Sequence, residues 1–374
     1  MLTKESREID FPSLKNRVYF NTAAEGIPPI AVVESFSEYA KDKLLGMDGR
    51  LLHEKKWRSV RDETAKLYGL RAEDIAICSC SSEAYNLIYL ALRLKAGDEI
   101  IINDLDFPAG ATPWLNDQSP ATVHVWKSVD GVLRTEDLTK LLNPKIRIVT
   151  LSMVSFYNGY TVDLEEIAAT IHQNSSALLA VDVTQALGRI PLQLDAADII
   201  VSSTHKWILG SHGGCLIGIN PRRSSELLVP AGGWFNLENA FEKDRFEKLV
   251  IKPGAGSFMV GMPNYAAIYP VATALKYINA VGVELIDKHA YPLVDQCRSM
   301  IAELPVEFLG PINPKNSSGI IAFKHKDYEA INIILKAENI HVMCHAGRIR
   351  IAIHGYNTES DVEKLVRTLQ KFFN

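Results

Sequence analysis

The chain has 374 residues, 47% apolar and 22% charged, the mix of an ordinary globular protein. That length exceeds the roughly 250–300 residues at which one hydrophobic core usually stops growing, so a large domain with a smaller one is expected. With 40 basic and 44 acidic residues spread along the chain and a net charge of −4, it has no basic footprint for nucleic acid or an anionic membrane, and no run reaches the about 20 apolar residues of a membrane span.

A small-molecule partner is therefore expected. The first ten residues, Met1 to Asp10, are charged and lack the apolar core of a secretory signal, which points to the cytoplasm. Five cysteines (Cys78, Cys80, Cys215, Cys297, Cys344) are odd in number and scattered, so free thiols rather than a disulfide framework are expected.

In chain order, Asp74–Cys78 is a short apolar run. It leads into Ser81-Ser82-Glu83 and then a segment whose Leu87, Ile88, Ala91 and Leu94 recur at helical spacing, which reads as strand, turn, helix. Glu99–Ile102, Val123–Trp126, Ile146–Leu151, Ala177–Val181 and Asp198–Val201 are further short runs, several continuously apolar as in strands covered on both faces. A helical pattern follows Asp163, over Leu164–His172. The alternation predicts an α/β fold with a mostly parallel sheet. From about Pro263 long helical patterns (Tyr265–Val281, Val283–Leu304, Asp327–Asn339, Glu359–Phe373) flank two strand candidates, Gly319–Phe323 and Arg348–Ile353. This divides the chain into an N-terminal segment, 1–25, packing with the small domain, a large α/β domain, 26–262, and a small α+β domain, 263–374.

Ligands of open α/β sheets sit at the carboxyl ends of the strands, so polar residues that directly follow apolar runs are the candidates. Ala177–Val181 ends in Asp182, with Gln185 one turn on; Asp198–Val201 ends in Ser202-Ser203-Thr204-His205-Lys206; Asp74–Cys78 ends at the Ser81-Ser82 helix start. Pyridoxal 5'-phosphate (PLP) needs a lysine amine for its aldehyde, a carboxylate beside its ring nitrogen and an anion site for its phosphate. Lys206 supplies a Schiff-base amine, Asp182 the carboxylate, and the helix start at Ser81-Ser82 the anion site, with Ser203 and His205 as further donors. Taken singly, a lysine after a strand is ordinarily a solvated charge and an aspartate there a helix cap. Their joint placement carries the reading.

Val181-Asp-Val-Thr-Gln-Ala-Leu-Gly188 followed by Ala197-Asp-Ile-Ile-Val-Ser-Ser-Thr-His-Lys206-Trp-Ile-Leu-Gly210 resembles the signature of class V aminotransferases. These are fold-type I PLP enzymes that include cysteine desulfurases and isopenicillin N epimerase-like enzymes. Tyr19–Ala23, Asp106–Trp114 and Arg350–Thr358 resemble further family segments in the same order. The resemblance implies a fold-type I PLP-transferase-like architecture and a homodimer. It puts Phe107 on the cofactor ring, Gln185 beside the ring hydroxyl, and Arg350 with Asn21 on the carboxylate of a small amino-acid substrate.

Departures narrow the reading. Phe156 stands where desulfurases carry a polar neighbour of the ring hydroxyl, leaving Ser155, Tyr157 or Asn158 as candidate replacements, and Met262 stands at a threonine position that reaches the partner subunit's phosphate. The stretch from His341 to Ile349 is shorter than the desulfurase loop that bears a persulfide-forming cysteine, so Cys344 is a weak candidate for that role, and His341, Cys344 and His345 a weak one for a metal. No metal is expected. Chemistry at Cα and Cβ through Lys206 is the expectation, with a carbon–sulfur or β-elimination lyase placed ahead of a transaminase or epimerase, and a non-catalytic binding or scaffold protein as the rival from another class.

Overall fold

A computed structural model describes residues 1–310 and 318–373. Helix α1 (Lys4–Asp10) and strand β1 (Val18–Tyr19) precede two helices, α2 (Ile30–Lys43) and α3 (Arg50–Tyr68). The α/β region then runs β2 (Ile75–Cys78), α4 (Ser81–Leu92), β3 (Glu99–Asn103), α5 (Pro108–Ala111), β4 (Thr122–Trp126), α6 (Thr135–Leu141), β5 (Ile146–Ser152), α7 (Leu164–Asn174), β6 (Leu178–Asp182), β7 (Ile199–Ser203) and β8 (Cys215–Ile219). Its seven strands order as β2-β8-β7-β6-β5-β3-β4. All neighbours are parallel except β8, which runs antiparallel to both β2 and β7. This is the mostly parallel sheet of the expected fold-type I α/β class.

The continuous apolar runs follow from burial on both faces. Along β6, Leu179 and Val181 enter one core cluster while Leu178 and Ala180 enter the other, the period-2 alternation of a strand with two covered sides. Helix α7 begins where Asp163 accepts the Glu166 N–H at 3.0 Å, with Glu165 and Glu166 in the first turn, where the helix dipole favours them.

Helix α8 (Tyr265–Val281) packs on α2 and α3 and breaks at Gly282 before α9 (Val283–Ala302). A second sheet follows, with β9 (Glu307–Phe308), β10 (Ile320–Lys324), α10 (Tyr328–Ala337), β11 (Ile340–His341), β12 (Met343–His345), β13 (Arg348–Ala352) and α11 (Glu359–Phe373). Its order is β12-β13-β10-β9, all antiparallel, and β1 pairs in parallel with β11. Ile349, Ile351 and Ile353 face the core of this sheet, so Arg348, Arg350 and Ala352 face the other way, with Ala352 in the core of the large sheet. Among the described residues no single helix is long and apolar enough to cross a membrane.

Candidate active site

Because β2, β3, β6 and β7 point the same way, their carboxyl ends bring Ser81, Phe107, Asp182 and Lys206 to one edge of the sheet. A cavity of about 400 Å³ opens there, lined by Ser81, Phe107, Phe156, Asp182, Gln185 and Lys206 among others. A larger hollow of about 570 Å³ lies near Glu136, Asp163 and Glu166. It has no lysine on its wall, so it does not suit a phosphorylated aldehyde.

Lys206 lies in the bend just beyond β7, with its Nζ 5.1 Å from the centre of the Phe107 ring. Desolvation, with help from the Arg350 charge, lowers its pKa to about 8 against the opposing pull of Asp182 and Glu25. The lysine loop is braced from behind. Gly26 donates its N–H to the His205 carbonyl at 2.8 Å, and a Cβ on Gly26 would stand 2.0 Å from the Lys206 carbonyl oxygen. Gly26→Ala is expected to cost about 1–3 kcal/mol by overpacking and to weaken cofactor retention; thermal melts of the variant with and without PLP measure both effects.

Asp182 is buried, and burial raises its pKa despite hydrogen bonds from Thr184, whose N–H it accepts at 2.7 Å. Among the described residues no cation lies at ion-pair distance from it. A buried carboxylate there would be matched by the protonated ring nitrogen of PLP. Thr184, which the sequence reading passed over, also takes the Ser203 N–H at 3.0 Å on its hydroxyl and so couples the Asp182 and Lys206 strand ends. Beyond Asp182 lies Asp106, whose carboxylate accepts the Ser152 N–H at 2.6 Å and the Asn103 amide at 2.9 Å. Burial first, and then the Asp182 charge, raise its pKa to about 7.

The Gln185 carbonyl accepts from the Trp207 indole at 2.6 Å and its amide donates to Ala23 at 3.0 Å, which fixes the orientation of the amide. An amide nitrogen has two hydrogens, so one donor remains for a ligand. At the other end of the cavity the Ser81 and Ser203 hydroxyls are 3.4 Å apart at the start of α4, which has no side-chain cap. His205 stacks on His212 at 4.6 Å, and burial first and then Lys206 lower its pKa to about 4, leaving it neutral. Ser82 is exposed and off the cavity wall, so it can offer only its backbone N–H to an anion at the start of α4.

Phe107 is 43% exposed, an apolar ring held open to the cavity, and meets Phe156 edge-on at 5.1 Å. The candidate replacements for a polar group at Phe156 are occupied elsewhere. Ser155 bonds the Leu105 carbonyl, Asn158 bonds Gly131 and Leu309, and Tyr157 lies under Arg348, so that side of the cavity is apolar. Arg350 and Asn21 are beside the cavity but not on its wall. The Arg350 Nη1 donates to the Phe156 carbonyl at 2.8 Å, while its Nε and the Asn21 Oδ1 are buried and have no partner among the described residues. Desolvation lowers the Arg350 pKa to about 10.

His354 donates from Nε2 to the Trp207 carbonyl at 2.7 Å and accepts the Gly355 N–H on Nδ1, which joins the C-terminal motif to the lysine loop. Burial lowers its pKa from 6.5 to about 3. The unfolded chain therefore binds this proton below pH 6.5 and the folded one does not, so stability falls as pH drops from 6.5 towards 3. A loss of about 2–3 kcal/mol between pH 7 and 4.5 is expected from this group. Urea unfolding at both pH values, with His354→Gln showing a slope flatter by one proton, checks it.

Among the described residues, His341, Cys344 and His345 form no ligand cluster; the group that converges is Glu25, His205 and His212. Cys344 is in β12 opposite Ile349, and burial raises its thiol pKa to about 11.

An amine, a buried carboxylate, an aromatic platform and a hydroxyl-lined helix start around one cavity are the groups that a fold-type I PLP site requires. The aminotransferase class-V family model matches residues 18–365, and the chain belongs to that family. PLP is its cofactor and it is an enzyme. It is 26% identical over 98% of its length to 96% of an uncharacterized aminotransferase, YcbU, of Bacillus subtilis. It is 25% identical over 99% of its length to 98% of a probable cysteine desulfurase of Methanothermobacter thermautotrophicus. An apo cysteine desulfurase structure from Thermococcus onnurineus superposes with a TM-score of 0.89 at 22% identity, over 100% of this chain and 98% of that one. The cystine C-S lyase C-DES with its product cysteine persulfide superposes at 0.84 and 21% identity, over 96% and 98%.

Proposed function

We propose that this enzyme is a carbon–sulfur lyase that eliminates the β-substituent of a cysteine-derived amino acid, without a persulfide-forming cysteine of its own. The observation that carries this reading is Cys344. It is fixed in β12, next to a tight turn at Ala346-Gly347, with partly buried contacts in the small-sheet core and a thiol pKa about 11. A thiol so held is neither ionised nor free to swing to Lys206. Cys80 borders the cavity, but at the phosphate end beside Ser81.

PLP, when bound, supplies an aldehyde for exchange with the substrate amine and a ring that accommodates the charge left by Cα deprotonation. Asp182 would keep a proton on the ring nitrogen, Phe107 would orient the ring, and Ser81, Ser203 and His205 would hold the phosphate. Arg350 grips the substrate carboxylate with donors that the fold leaves unused. Lys206 Nζ, which a pKa lowered to about 8 leaves partly unprotonated near neutrality, takes the Cα proton. The sulfur then leaves Cβ with the C–S electron pair, and hydrolysis of the remainder releases pyruvate and ammonia.

Incubation of holoenzyme with L-cystine and no keto acid should release pyruvate and ammonia, and Cys344→Ala should retain turnover within about twofold. Strict dependence on a keto-acid acceptor would overturn the lyase reading in favour of transamination. Loss of all turnover in Cys344→Ala would restore a desulfurase. The exposed Leu44, Met47, Phe241, Phe246 and Met262 support a homodimer, since a monomer rarely leaves so many large apolar side chains in water.

A further inference from the structure

Strand β13 turns two guanidinium groups to the same side, away from the Ile349, Ile351 and Ile353 core. They are held in parallel. The Arg350 Nη1 donates to the Phe156 carbonyl at 2.8 Å and the Arg348 Nη1 to the next carbonyl, Tyr157, at 2.7 Å. The Arg348 guanidinium also covers the Tyr157 ring at 4.4 Å and the Phe156 ring at 5.5 Å, and Phe156 is on the cavity wall. Among the described residues neither arginine has a carboxylate at ion-pair distance.

Two adjacent cations without a counter-charge are unfavourable to each other and to the fold. The repulsion is felt at Arg350, where the Arg348 charge adds to desolvation in lowering the pKa. Such a pair is stabilised by anions that arrive with a ligand. The depths of the two differ: Arg350 is buried and Arg348 is only half-buried. Residues two apart on a strand are about 7 Å apart, more than the two oxygens of one carboxylate span. One anion per arginine fits this spacing better than one anion shared between them.

We propose that Arg348 is a specificity-determining residue that binds a second, distal carboxylate of the substrate while Arg350 holds the first. The substrate class is then a sulfur-linked amino acid with a carboxylate at each end, the skeleton of a cystine-like disulfide. This rests on the carbon–sulfur lyase reading for the identity of the scissile bond, and on the two arginines alone for the second carboxylate.

Two probes isolate the distal group: L-cystine, and the mixed disulfide of L-cysteine with cysteamine, which has the same C–S bond but no distal carboxylate. The holoenzyme is expected to favour L-cystine in kcat/KM by about 10- to 100-fold, mainly through KM. In Arg348→Gln that ratio should collapse to near one, and Arg348→Lys should restore part of it. A parent ratio near one, or a ratio that survives Arg348→Gln, overturns the proposal. If the parent enzyme releases pyruvate from neither disulfide, the lyase reading falls, and binding judges Arg348. Cofactor absorbance titrations should then show L-glutamate binding more tightly than L-glutamine, with the difference lost in Arg348→Gln; equal binding of the two by the parent enzyme overturns the role of Arg348.

Discussion

Replacing Lys206 by alanine is expected to reduce kcat at least about 10³-fold while leaving the fold intact. The amine stands on the cavity wall just beyond β7, and its desolvation outweighs the attraction of Asp182, which is why its pKa falls to about 8. Truncation removes a partly desolvated amine and leaves Ser81, Ser203 and Asp182 in place, so the apoprotein should melt no earlier than the parent. PLP should still bind through Ser81, Ser203 and His205, but dialysis should then remove it. Single-turnover kinetics and an absorbance spectrum before and after dialysis check the pair of outcomes. A Lys206→Ala variant that keeps its turnover would remove Lys206 from the chemistry.

The second large effect is expected at Asp182. Asp182→Asn preserves shape, and the new amide oxygen can still accept the Thr184 N–H now bonded at 2.7 Å. It cannot hold a proton on a ring nitrogen. Activity should fall about 10²- to 10³-fold, the scale at which loss of one preorganised electrostatic contact is felt. The apoprotein, relieved of a buried carboxylate raised in pKa by desolvation, should be as stable as the parent or more so. Opposite signs for activity and stability separate a functional carboxylate from one that merely holds the fold together, for which both would fall. Steady-state kinetics and a urea denaturation series measure the two.

The features of the site that were legible in the sequence are those that local pattern dictates. Asp182 directly follows an apolar run and Lys206 lies four polar residues past another, and in an open sheet the ends of such buried strands converge. Helix α7 was legible through Asp163 and the acidic first turn. Helices α2 and α3 were not, because α3 intersperses Val60, Ala65 and Tyr68 among charged residues and is stabilised by packing on α8, a contact remote in sequence. Strand β8 was hidden behind Gly210, Gly213 and Gly214, and it runs antiparallel to β2 and β7 on either side.

Tertiary contacts also decide the details around the cavity. Asn158 has the right chemistry to contact a ring hydroxyl, yet its amide is used by the carbonyls of Gly131 and Leu309. Thr184 stands between two residues that were singled out, and a threonine after an aspartate carries no signal of its own. His354 was within reach of a reader, since it lies four residues past Arg350 in the same motif, but only the fold shows that it bonds the Trp207 carbonyl. That Arg348 meets no carboxylate among the described residues is invisible in a sequence with 44 acidic residues, any of which could have been its partner.

Lys206 as the residue that carries the cofactor is tested most directly by borohydride reduction of the holoenzyme followed by peptide mapping. The protein should lose its yellow colour and gain one pyridoxyl mass, confined to the peptide that contains Lys206. A colourless protein that takes up no PLP, or a label on any other lysine, would contradict the account.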